Sequence, residues 1–146
     1  MSREQMLRVV LDAEDARVPT RANRGDAGFD LYVSGRHVIG SGEFLDIPCG
    51  IRMALPAGHW GEITGRSSTL RSRGLLVIEG VIDNGYVGPL FTGVFNLSST
   101  PAIVESGERL AQMIMHRIYD VPTIEIDAFE LPNTDRGTDG FGSSGA

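Results

Sequence analysis

Apolar and polar residues alternate with a period of two along much of this chain. Leu45, Ile47, Cys49, Ile51 and Met53 are separated by Asp46, Pro48, Gly50 and Arg52, the pattern of a strand with one buried face. Pro48 cannot donate to a ladder, which pushes this strand towards a sheet edge or a bulge. Similar signals predict strands over 7–11, 29–33, 60–64, 90–97, 110–119 and 123–129, the last alternating Ile124 and Ile126 with Glu125 and Asp127. Only Ser67–Arg73 reads as a helix, with Ser67 or Ser68 as its N-cap. Between the apolar Gly80-Val81-Ile82 and the 90–97 strand stands Asn84-Gly85, a dipeptide that tolerates the positive φ of a type I′ hairpin turn. Asp83 and Tyr86 then flank that turn. Many short strands delimited by turns predict an all-β sandwich, jelly roll or small barrel.

The length of 146 residues suits one domain with a single core. We place the β domain over 1–132 and a C-terminal arm over 133–146, where almost nothing except Phe141 can be buried. A mobile tail and a lid that closes over a ligand both fit that composition. The net charge of −6 disfavours sequence-independent binding to nucleic acid or to an anionic membrane. No apolar run reaches the length of a membrane span, and no signal-peptide core opens the chain. Cys49, the sole cysteine, excludes an intrachain disulfide and is compatible with a reducing compartment. The expectation is a cytoplasmic protein with no direct nucleic-acid or membrane partner. His37, His59 and His116 lack a second ligand at zinc spacing.

Several short segments carry candidate chemistry. In Gly65-Arg66-Ser67-Ser68, backbone donors, hydroxyls and a guanidinium suit an anion, although serines before a helix also serve as caps. Asp26 and Asp30 surround a small-residue turn; hard oxygens there suit Mg²⁺, and equally a solvated turn. Gln112 sits inside an apolar strand, where its amide either bonds neighbouring backbone or faces a ligand. Asp83 on a tight turn can orient a water, and Tyr86 beside it can pack on a flat ligand.

Taken in order, Ala27-Gly28-Phe29-Asp30-Leu31, Gly65-Arg66-Ser67-Ser68, Gly80 through Gly88, Gly107-Glu108-Arg109-Leu110-Ala111-Gln112 and Arg136 through Gly145 resemble the five motifs of the trimeric deoxyuridine triphosphatase (dUTPase) family. The resemblance implies a jelly-roll-like β fold with one short helix and a mobile arm. It implies a homotrimer in which each site draws on three subunits, and Mg²⁺-dependent hydrolysis of dUTP to dUMP and pyrophosphate. Such an activity limits uracil incorporation into DNA and supplies dUMP. On that pattern Asp83 is the general base and Tyr86 stacks on the deoxyribose, while backbone at Gly80, Val81 and Ile82 reads the uracil. Arg66, Ser67, Ser68 and Gln112 hold phosphates from a neighbouring subunit. Asp30 holds Mg²⁺ through water, and Arg136 acts as an arginine finger. Phe141 covers the base, with Phe91, Gly142 and Ser143 completing the implied substrate contacts.

Three positions depart from the pattern. Asp139 stands where glycine is usual, Ser144 replaces threonine, and Val77 replaces an asparagine that touches the base in many bacterial members. Two other readings of the same motifs are a non-catalytic nucleotide-binding module and the related dCTP deaminase. Gly93, however, occupies the place of the deaminase glutamate, and deamination needs that carboxylate to move protons.

Overall fold

The protein is described here from a computed structural model covering residue 2 and residues 5–138. The chain runs β1 (Arg8–Leu11), β2 (Gly28–Leu31), β3 (His37–Ile39), β4 (Phe44–Ala54), β5 (His59–Gly65), α1 (Ser67–Arg73), β6 (Leu75–Val77), β7 (Gly80–Ile82), β8 (Pro89–Asn96), β9 (Ala102–Val104) and β10 (Ala111–Arg117). Two antiparallel four-stranded sheets are ordered β1-β4-β8-β6 and β2-β10-β5-β7, and β3 pairs with β9. The jelly-roll-like all-β expectation, with one short helix, is met.

Alternation builds the core. Ile47, Cys49, Ile51 and Met53 of β4 point inward with Leu90 and Val94 of β8, and meet Leu31, Ile63, Ala111 and Met113 of the second sheet. Each large aliphatic side chain buried this way stabilises the fold by about 1.5–3 kcal/mol. Asn96 is fully buried among them, its amide donating to the carbonyls of Ile39 and Thr100 at 3.0 and 2.9 Å, so no polar atom is stranded. Pro48 lies at a bulge rather than an edge. β4 sits between β1 and β8, and its register with β8 shifts between Pro48 and Arg52. The carbonyls of Pro48 and Gly50 accept bonds from Ser34 and Asp12 of the flanking loops.

Three sequence expectations need correction. A turn does stand at Asn84-Gly85, with Tyr86 N–H donating to the Asp83 carbonyl at 3.1 Å and Gly85 at φ 91°. It closes no hairpin, because β7 pairs with β5 whereas β8 pairs with β4 and β6. The Asn84 amide is spent on the Pro56 and His59 carbonyls, which pins the turn where the chain crosses between sheets. Residues 123–129 form no strand: Ile124 and Phe129 are about 85% and 84% exposed, and a short 3-10 turn occupies Ala128–Glu130. Among the described residues the alternation there meets no apolar surface. Helix α1 keeps its expected bounds, but Arg66 rather than Ser67 or Ser68 takes the N-cap position, without a side-chain cap. Val77, which replaces an asparagine of the family pattern, lies in the core.

Across β5 and β10, the Trp60 ring stacks on His116 with centroids 4.5 Å apart, and His116 Nε2 lies 2.8 Å from Glu62 Oε2.

Candidate active site

β7 and the turn after it form one half of the site. Gly80, Val81, Ile82, Asp83, Tyr86 and Phe91 line a cavity of about 340 Å³, the scale of a pocket for a small organic ligand. Tyr86 folds back so that its hydroxyl donates to the Pro89 carbonyl at 2.9 Å. That posture depends on Gly88, where a Cβ would fall 2.5 Å from the Tyr86 hydroxyl oxygen. Among the described residues the Asp83 carboxylate accepts no hydrogen bond and forms no ion pair. It is exposed at the cavity and available to a water.

A second half gathers around the start of α1. Gly28, Asp30, Arg66, Ser67 and Gln112 line a cleft of about 320 Å³. Register explains the grouping, since Gln112 of β10 lies opposite Asp30 of β2 on one side and Thr64 of β5 on the other. The Gln112 amide donates to the Gly65 carbonyl at 3.3 Å. Gly28 leaves it room: a Cβ there would lie 2.2 Å from Gln112 Oε1.

Asp30 is the electrostatic centre of this half. It is 7% exposed, with Arg66 Nε at 2.8 Å from one carboxylate oxygen and an Arg109 guanidinium nitrogen at 3.0 Å from the other. Arg66 also donates to the Arg109 carbonyl. Two arginines share one buried carboxylate and are held in place by it, with donor N–H groups left for an anion, while Asp26 lines the same cleft.

Asp30 still fits a part in holding a metal, though an indirect one. Both of its oxygens already accept from arginine, yet each retains a lone pair that a metal-bound water could use. Among the described residues no three His, Cys, Asp or Glu side chains are grouped to hold an ion. Mg²⁺ commonly keeps several waters and binds chiefly through substrate phosphates, so this donor set suits the outer shell of a hydrated ion.

Not every expected residue joins these two halves. Ser68 lines a separate cleft with Ser72, Arg73 and Arg109. Val77 lines the cleft beside α1 and not the Asp83 cavity. Arg136 lies in an exposed turn and lines neither half. Phe141, Gly142 and Ser143, with Asp139 and Ser144, lie outside the described residues. Sequence reasoning missed Arg109 as the second partner of Asp30, although it stands inside a motif already singled out. It also missed Asp46 and Glu79, which line the Asp83 cavity; their only signal was a polar residue on the outward phase of a strand and an acid beside Gly80.

The Asp83 cavity and the cleft of Asp30 and Gln112 share no lining residue, whereas Glu79 borders both the Asp83 cavity and the cleft that Arg66 and Ser67 line beside α1. No helix among the described residues is long and apolar enough to cross a membrane.

Comparison with known proteins identifies the family. The dUTPase family model matches residues 14–145. The deoxyuridine 5′-triphosphate nucleotidohydrolase of Mycolicibacterium gilvum is 37% identical over 145 residues, covering 95% of this chain and 94% of its own. That of Debaryomyces hansenii is 37% identical over 143 residues, covering 97% and 89%. Among solved structures, the dUTPase of Staphylococcus bacteriophage 80alpha with dUPNHPP superposes with a TM-score of 0.91 at 27% identity, covering 97% of this chain and 99% of that one. A dUTPase from phage phi11 of S. aureus, described with a structural Mg(II) ion, has a TM-score of 0.81 at 24% identity. This chain belongs to the dUTPase family.

Proposed function

We infer that the chain hydrolyses dUTP to dUMP and pyrophosphate, with Asp83 as general base at a site completed by a neighbouring copy. The activity follows from family membership and from relatives that bear the name of the reaction over nearly their whole length. The observation that carries the mechanism is the uncommitted Asp83 carboxylate beside Tyr86 at the 340 Å³ cavity. A base must reach the proton it removes, and one already engaged in an ion pair would be a poor acceptor. Asp83 takes a proton from water as the water oxygen bonds to phosphorus, and the bridging oxygen leaves with pyrophosphate. Tyr86 and Phe91 pack against the nucleoside, and the backbone of Gly80, Val81 and Ile82 reads the edge of the base.

Arg66, Ser67 and Gln112 bind phosphate oxygens, with Asp30 and Arg109 holding the Arg66 guanidinium in place. Bound Mg²⁺ would neutralise charge on those oxygens, with Asp30 holding its water shell. Because Asp30 and Gln112 share no cleft with Asp83 and Tyr86, and only Glu79 borders both the Asp83 cavity and a cleft lined by Arg66 and Ser67, a complete site assembled between copies in a homotrimer is the economical reading. Arg136 and the arm from 133 to 146, carrying Phe141, Gly142 and Ser143, then close over the bound nucleotide; Ser68 supports the same anionic end from its neighbouring cleft.

The test is pyrophosphate release from dUTP, dTTP, dCTP and UTP with Mg²⁺, run on the wild type and on Asp83→Asn. Hydrolysis selective for dUTP is expected, and the variant should lose at least about a hundredfold in kcat, as expected for removal of a general base, while still binding a non-hydrolysable analogue. A variant that turns over normally removes Asp83 from the role. Ammonia release from dCTP would favour the deaminase reading instead.

A further inference from the structure

The Asp83 cavity holds two more carboxylates, Asp46 and Glu79, and no Lys, Arg or His lines it. Arginine-bearing clefts lie around α1 and the start of β10, and another, lined by Arg8 and Arg52, lies between β1 and β4. Asp46 stands on the outward phase of β4, directly opposite Gly93 of β8. With no side chain at Gly93, little covers the Asp46 carboxylate: a Cβ there would come within 3.3 Å of Asp46 Oδ1. Glu79 follows β6 and precedes Gly80, so it reaches the cavity from another element and also borders the cleft lined by Arg66, Ser67 and Arg71. Among the described residues neither carboxylate takes part in an ion pair or a hydrogen bond. Both charges are therefore left to act on whatever enters.

We propose that Asp46 and Glu79 are specificity-determining residues that set the direction of nucleotide entry, by keeping polyanionic groups out of the cavity that receives the neutral base and sugar. The inference rests on the nucleotide reading above and deepens it. A triphosphate offered to this cavity meets three like charges and no donor cation, whereas the same group beside Arg66 and Arg109 meets two donor guanidinium groups held on Asp30, with Asp26 at the cleft wall. An uncharged pyrimidine nucleoside is indifferent to that field. Repulsion at this range is modest per charge and adds over several charges on each side. It also keeps released pyrophosphate from lodging where the next base must sit.

The experiment is amide chemical-shift mapping on the full chain, titrated in parallel with deoxyuridine and with inorganic tripolyphosphate at low salt. On the wild type, deoxyuridine should move the amides of Val81, Ile82 and Tyr86, and tripolyphosphate should leave them in place while moving those of Arg66, Ser67 and Gln112. In Asp46→Asn/Glu79→Gln, tripolyphosphate should move the cavity amides as well, with an apparent affinity there at least about tenfold above wild type that fades as salt is raised. The charge-conserving Asp46→Glu and Glu79→Asp should keep the wild-type pattern, which separates charge from packing. Tripolyphosphate entering the wild-type cavity, or failing to enter that of the neutral variant, overturns the proposal. Should deoxyuridine leave the wild-type cavity amides unmoved, it is the nucleotide reading itself that fails.

Discussion

At the scale of single residues, glycines do as much for the site as the groups that carry charge. Gly28 exists so that Gln112 can lie flat across β2. Gly28→Ala should push the amide off the Gly65 carbonyl and raise KM for dUTP several-fold with little change in unfolding temperature, measurable by steady-state kinetics beside a thermal melt. The Asp15 carboxylate illustrates a different economy. It accepts from the hydroxyls of Ser106 and Ser34 and from the Gly35 N–H, and these bonds hold it well below the ordinary carboxylate range. Its contribution to stability is therefore present above the unfolded value near 3.8 and is lost as pH falls below it. Melting temperatures taken from pH 5 to 2 should decline more steeply for the wild type than for Asp15→Asn, which starts lower at neutral pH. Asp83, Tyr86, Arg66 and Gln112 were all legible as candidates, because each sits in a short motif whose chemistry is local. The grip of Arg109 on Asp30 was not, since it depends on two segments 79 residues apart that only β2–β10 pairing brings together.

Elements were legible in proportion to the length of their alternation. β4 spans 11 residues, and its one-sided burial repeats often enough to read directly. β3, β6 and β9 have three residues each, too few to establish any period, and their pairing is decided by neighbours rather than by their own sequence. Asn84-Gly85 misled in an instructive way: the local turn chemistry was right, but which strands it joins is a matter of sheet order. Residues 123–129 failed for the opposite reason, since an alternating pattern is present without a surface among the described residues to receive it. The arm beyond it makes a sharper test. Removing residues 133–146 should leave the melting temperature within a degree or two, since none of the described part of that stretch is buried. Hydrolysis should fall by at least about tenfold, as for loss of a closing lid. If the truncated chain unfolds instead, the arm is structural and does not act as a lid.

For the whole molecule, the separation of cavity and cleft makes the number of copies a question of chemistry. Asp83→Asn and Arg66→Ala should each be nearly inactive alone. Refolded together from equal amounts, they should recover about a quarter of wild-type activity, because some sites then draw an intact aspartate from one copy and an intact arginine from another. No recovery in mixed oligomers would mean that each chain works by itself. The stacked pair on β5 and β10 offers a way to watch such assembly. Trp60 is the only indole in the chain, and β5 hydrogen-bonds directly to β7, with Gly61 opposite Ile82 and Glu62 opposite Val81. The protein thus carries a single indole one strand away from the Asp83 cavity. Its emission should report, without any added dye, when a base settles next door.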